Sequence, residues 1–181
     1  MYLFARRGVV IMLRRFFMLP LHCMAEINFK TEGIKELQRK LADMKQVVDK
    51  RVEMELRQLG EDAVTYSKEN KGYRDHTANL KNSISYALFK DGKLLESKVG
   101  TIPKPDEDAN GQAQVEDNLM KFASKDGIVS PTGYTLIVVA GMIYGKYVED
   151  KGYNVLYLTE RYLRKGINEI IKSVMEEMFS Q

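Results

Sequence analysis

The chain holds 181 residues, 44% hydrophobic and 29% charged, which is long enough for one domain with a substantial core and ordinary for a globular fold. One cysteine, Cys23, and two histidines, His22 and His76, exclude an internal disulfide and a Cys/His cluster for zinc or iron, so a metal site would need carboxylates alone. The net charge of +3 comes from residues 1–23, where Arg6, Arg7, Arg14 and Arg15 stand without one acid; removing those four charges leaves residues 24–181 at −1, and a near-neutral body lacks the concentrated positive charge on which strong nucleic-acid binding rests.

Residues 1–23 mix arginine pairs with apolar runs, Gly8 to Leu13 and Phe16 to Leu21, too short to span a bilayer, which takes about 20 apolar residues. Arg14-Arg15 interrupts the apolar core that a secretory signal requires, and no small-x-small cleavage site follows. Two readings stand: an in-frame upstream extension before a natural start at Met24, or a basic amphipathic helix lying on a membrane surface.

From Gly33 to Asn70 the apolar positions Ile34, Leu37, Leu41, Met44, Val48, Val52, Leu56, Leu59, Ala63 and Tyr66 recur at steps of three and four. This is the period of an amphipathic helix. Unbroken, it is about 57 Å long, more than a compact domain of this size uses, so either it bends between Met44 and Val48 or it projects beyond the body. It is read as a core-covering helix or as a partner-contacting one.

Next come Asp75, Thr77, Leu80 and Ile84: cap and turn residues followed by two core anchors. Asp75, His76 and Ser83 are the residue types of a hydrolase triad, but no Gly-x-Ser-x-Gly elbow accompanies them. Ser83 to Phe89 alternates, with Ile84, Tyr86 and Leu88 on one face, and Asp91-Gly92 signals a hairpin with a return strand from about Lys93 to Thr101. Residues 102–133 form a long polar excursion with an acidic patch (Asp106, Glu107, Asp108) and a short helix from Gln114 to Ser124. It is read as a loop insertion that lines an opening or meets a partner, or as a tolerated surface insertion.

Tyr134 to Gly141 is apolar on both faces, as a strand covered on both sides reads. It belongs in the middle of a sheet. Ile143, Tyr144, Tyr147 and Val148 follow at helical spacing, and Gly152 stops the turn. A closing helix starts near Thr159, read as its N-cap, with Leu163, Ile167, Ile170, Ile171, Val174 and Met178 as its apolar stripe.

The expected fold is therefore α+β: a small antiparallel sheet packed with a long N-terminal amphipathic helix and a C-terminal helix, in one domain over residues 24–181. The order of elements, with Asp75, Thr77, Asn79, Leu80, Ser83 and Ile84 in an Asp-x-Thr-x-x-Leu run and Tyr144, Tyr147, Val148, Glu149 and Gly152 in a second run, resembles the tail-component family of long-tailed bacteriophages and prophages. Its members are small tail-completion or head-to-tail joining proteins. The resemblance spans Ile34 to Met178. Two departures stand out: Ala78 occupies a position where the family usually has glycine, and Tyr153 to Tyr157 replaces the family's proline-rich run.

What the resemblance implies is a structural protein of the virion, made in the bacterial host cytoplasm. It implies no catalytic residues and no cofactor, a ring of six copies at the neck or tail end, and other neck or tail proteins as partners. In such a ring neighbours meet through unlike faces, and Val52, Leu56 and Leu59 on the long helix, with Tyr144, Tyr147 and Glu149, are the expected interface residues; the other reading of Tyr144, Tyr147 and Glu149 is as core and turn residues. No specific nucleic-acid binding is expected. The competing reading is a binding protein tethered to a membrane surface by residues 1–23.

Overall fold

The computed structural model describes residues 3–5, 8–12, 31–103 and 111–179. Its elements in chain order are strands β1 (Leu3–Ala5) and β2 (Gly8–Met12), helix α1 (Thr31–Glu69), the short helix α2 (Asn79–Asn82), strands β3 (Ile84–Lys90) and β4 (Lys93–Lys98), helix α3 (Gly111–Ala123), strand β5 (Tyr134–Ala140), the short helix α4 (Gly145–Asp150) and helix α5 (Tyr157–Phe179). The five strands form one antiparallel sheet in the order β1-β2-β5-β3-β4. The α+β class, with a long N-terminal helix and a C-terminal helix on a small antiparallel sheet, is as expected.

β5 is the middle of that sheet, and every one of its residues is buried. Its two apolar faces have separate partners. Leu136, Val138 and Ala140, with Ile84, Tyr86 and Leu88 of β3, pack against Leu56, Leu59 and Ala63 of α1 and Leu163 and Ile167 of α5. Ile137 and Val139, with Ala87 and Phe89 of β3, pack against Leu119, Phe122 and Ala123 of α3 and against Ile128. Each fully buried aliphatic or aromatic side chain contributes about 1.5–3 kcal/mol of transfer free energy.

The turn between β3 and β4 is the expected one. Asp91 (φ 50°) and Gly92 (φ 80°) both take the left-handed conformation of a two-residue hairpin turn, and the Asp91 carboxylate accepts a hydrogen bond from the Gly133 amide at 2.8 Å.

Three expectations change. The 102–133 excursion is not a loop insertion standing off the sheet: it contains α3, whose Val115, Leu119 and Phe122 are buried. A strand apolar on both faces needs a cover on each, and α3 is the second cover. The acidic patch of Asp106, Glu107 and Asp108 lies outside the described residues. In the first 23 residues, Leu3–Ala5 and Gly8–Met12 are strands rather than parts of a surface helix, and β2 pairs with β5 from Gly8↔Val139 to Met12↔Thr135. A run of β-branched Val9, Val10 and Ile11 suits a strand, and the pairing covers an edge of β5 that would otherwise present open amides and carbonyls. The Met24 start lies outside the described residues. Finally, Thr159 does not cap α5. It is buried, with its hydroxyl 2.6 Å from that of Ser67 on α1, while Asn154 Oδ1 accepts the Leu158 amide at 2.9 Å.

α1 and α5 run antiparallel. Arg51 bonds Ser173 and Glu177 at one level, Gly166 lies so close to Leu59 at the next that a Cβ there would collide with Leu59 Cδ1, and the Tyr66 and Tyr162 rings stack at 4.5 Å near the other end. α1 has 39 residues and α5 has 23, so α1 outruns its cover. Residues 33–47 are all exposed, a stretch of about 22 Å at 1.5 Å per residue. Of the two alternatives for the long helix, projection is the one realised.

Candidate functional site

The two runs that carry the family resemblance stand about sixty residues apart in sequence, and the fold brings them together. In the first, Asp75 pairs with Lys71 at 2.6 Å and Thr77 Oγ1 accepts the Asn79 amide at 3.3 Å. Ala78 then takes a left-handed conformation, φ 61° and ψ 6°. A glycine adopts that conformation without strain, whereas a Cβ there costs about 1–2 kcal/mol. Alanine at this position thus keeps the turn in place and adds strain to it.

Leu80 and Ser83 carry the segment into the core. Ser83 Oγ donates to the Leu80 carbonyl at 2.9 Å and accepts the Met142 amide at 3.3 Å, and the Ser83 carbonyl accepts the Gly141 amide at 3.0 Å. A Cβ on Gly145 would stand 3.0 Å from Leu80 Cδ1. The first run is thereby seated on the second. Ser83 is wholly buried while His76 is exposed, so the triad geometry, a hydroxyl held by an imidazole beside an open site, is not formed by these residues.

In the second run Glu149 has a definite task. Its Oε2 accepts the amides of Val155 at 3.0 Å and Leu156 at 2.8 Å, satisfying donors at the entry to α5 with a charged acceptor. Gly152, at φ 83°, makes the turn that lets the chain double back. Of the two readings of Glu149, turn residue and interface residue, its half-buried position and the commitment of its carboxylate to its own chain fit the first. The Tyr73 hydroxyl is buried with no hydrogen-bond partner among the described residues. Burial, with the nearby charge of Asp75, pushes its phenol above the ordinary range.

The expected interface residues on α1 lie on its covered half. Leu56 and Leu59 are buried at 1% and 7% exposure, and Val52 packs against the same core. They are covered by α5 and the sheet. The same stripe continues N-terminally as Ile34, Leu37, Leu41 and Met44, joined by Val47, all exposed. Tyr144 and Tyr147 are exposed as an interface role requires, and Ile143, Tyr153 and Tyr157 join them: five exposed large side chains within fifteen residues. Tyr153 and Tyr157 were missed, although the density of tyrosine from Tyr144 to Tyr157 was a signal for them.

These two surfaces lie at opposite ends of α1. Residues 143–157 are tied to its C-terminal end, where the Gly72 amide donates to the Asn154 carbonyl at 3.0 Å and Asn154 Nδ2 donates to the Asn70 carbonyl. The exposed stripe ends at Val47, about 33 Å from Glu69 along the helix. Among the described residues no group of three or more His, Cys, Asp or Glu side chains is placed to hold a metal. No described helix is long and apolar enough to cross a membrane. No protein-family model, curated protein or solved structure matches the chain.

Proposed function

We propose that this protein is a structural subunit of a phage or prophage virion, a tail-completion or head-to-tail joining protein that works by assembling into a ring at the neck or tail end. The observation that carries the reading is the exposed N-terminal part of α1: fifteen consecutive exposed residues with an apolar stripe. A contiguous exposed apolar stripe of this kind marks a surface that a partner covers. The contact between the Asp75–Ile84 and Tyr144–Gly152 runs adds support, since the two resembling segments form one structural unit. A membrane tether has less in its favour, because Leu3–Ala5 and Gly8–Met12 belong to the sheet.

The test is genetic and visual. Deleting the gene from the phage or prophage genome that carries it, then examining the lysate by electron microscopy, is expected to give filled heads and tails that do not join, with infectivity restored by supplying the protein. Intact, infectious particles without it would overturn the reading.

A further inference from the structure

Folding makes the charge of the chain uneven. Residues 65–85 and 141–166 hold nine Lys or Arg against five Asp or Glu, a net of +4, while the rest of residues 24–181 holds fifteen against twenty, a net of −5. The fold sets the two basic segments side by side: the Tyr66 and Tyr162 rings stack, the Gly72 amide donates to the Asn154 carbonyl, and the Ser83 carbonyl accepts the Gly141 amide. A near-neutral body thus has one basic end, and Tyr144, Tyr147, Tyr153 and Tyr157 are exposed at that same end.

We propose that this end binds single-stranded nucleic acid without sequence preference, its tyrosines stacking on bases and its unpaired cations meeting phosphates.

The cations are free to do so. Five of the nine, Lys68, Arg74, Lys81, Lys151 and Arg161, form no ion pair among the described residues, the other four being held by Asp75, Asp150, Glu160 and Glu169. The Glu149 carboxylate is turned to the Val155 and Leu156 amides, which leaves Glu69 as the one uncommitted acid of the two segments among the described residues. Lys68 of α1 is half-buried near Lys81 of α2 and near Lys98 of β4, which is paired with Glu61. Burial first, then these two like charges, hold its ammonium below the ordinary lysine range. Like charges gathered from three elements repel one another, and a bound anion relieves that repulsion.

The tyrosines select the kind of polyanion. An acidic peptide satisfies the cations and leaves the rings unused, and a duplex keeps its bases stacked inside. A single strand offers a phosphate and a π-face at every nucleotide, which is what exposed aromatic side chains among cations recognise. Ring and cation already stand together twice: Lys151 Nζ lies 5.2 Å from the Tyr147 ring centre, and Tyr157 and Arg161 are exposed one turn apart on α5.

The test is fluorescence anisotropy of a labelled oligo-dT strand of about twenty nucleotides, longer than one site of this kind, titrated with the full chain. The strand is expected to bind at least roughly fivefold tighter than a duplex of the same length. Its affinity is expected to fall about twentyfold between about 50 and 200 mM salt, the slope for about three phosphate contacts. Tyr147→Ala with Tyr153→Ala, both more than half exposed, is expected to weaken binding about tenfold or more without changing that slope. Lys151→Gln with Arg161→Gln is expected to lower the slope by about 1.4. Circular dichroism with an unfolding midpoint checks that each variant keeps the parent fold.

Equal affinity for strand and duplex, or tyrosine variants that bind like the parent, would overturn the proposal by reducing the surface to its charge. Poly-glutamate that displaces the labelled strand as well as unlabelled strand does at equal charge would overturn it in favour of an acidic protein partner. No anisotropy change at the lower salt would overturn it outright. None of these outcomes bears on the virion role, which the deletion experiment tests by itself.

Discussion

The two halves of α1 have the same apolar spacing and opposite surroundings. From Val52 to Ala63 the stripe is packed under α5 and the sheet; from Ile34 to Val47 it faces solvent. The period of a helix says that one face is apolar, but coverage depends on where the next element stops, and α5 stops near the level of Arg51. An amphipathic stretch therefore identifies a surface that wants a partner without saying whether the partner is in the same chain.

The largest expected effect breaks the comparison at its buried half. Leu56→Ala empties a site that is 1% exposed, and urea unfolding is expected to show a loss of about 3 kcal/mol, within the range for buried leucines. Next is the device that seats the covering helix: Glu149→Ala leaves the Val155 and Leu156 amides without their carboxylate and is expected to cost about 2 kcal/mol in the same measurement, with the loss expressed as earlier exchange of amides in the first turn of α5. Ala78→Gly sharpens the comparison from the other direction. It relieves a left-handed alanine next to α2, and a gain of about 0.5–1 kcal/mol is expected by thermal unfolding. The smallest effect belongs to the exposed half: Leu41→Ala, at 55% exposure, is expected to change the unfolding free energy of the dissociated chain by less than about 0.5 kcal/mol. Equal losses at Leu41 and Leu56 would remove the distinction between the two halves.

Local and strongly periodic features were legible in the sequence. Asp91-Gly92 announced the β3–β4 turn because both positions need positive φ. Tyr134 to Ala140 announced a central strand because both its faces are apolar. The extent of α1 followed from its spacing. Features that depend on distant partners were not legible. The helix from Gln114 to Ser124 was legible, but the packing of its Val115, Leu119 and Phe122 on the sheet was not, and only the apolar second face of β5 called for that cover. Thr159 has the composition of a cap, yet it is turned inward to Ser67, and the capping falls to Asn154 and to a glutamate six residues before Val155. Of the expected interface residues, Tyr144 and Tyr147 are exposed rather than part of the core. Val52, Leu56 and Leu59 are packed within their own chain, since spacing is blind to where α5 ends.

The exposed end of α1 has a further consequence through helix nucleation. A free peptide of about fifteen residues is at best marginally helical in water, because the first turn fixes several residues for one hydrogen bond. Here that first turn is already formed in the packed half, and the exposed residues only extend it, one backbone bond per residue. A partner therefore meets a ready-made rod rather than a chain that must be ordered on contact. Ordering a backbone costs about 1–2 kcal/mol per residue, so much of the entropic resistance to association at this end has been met during folding, by the core of the same molecule.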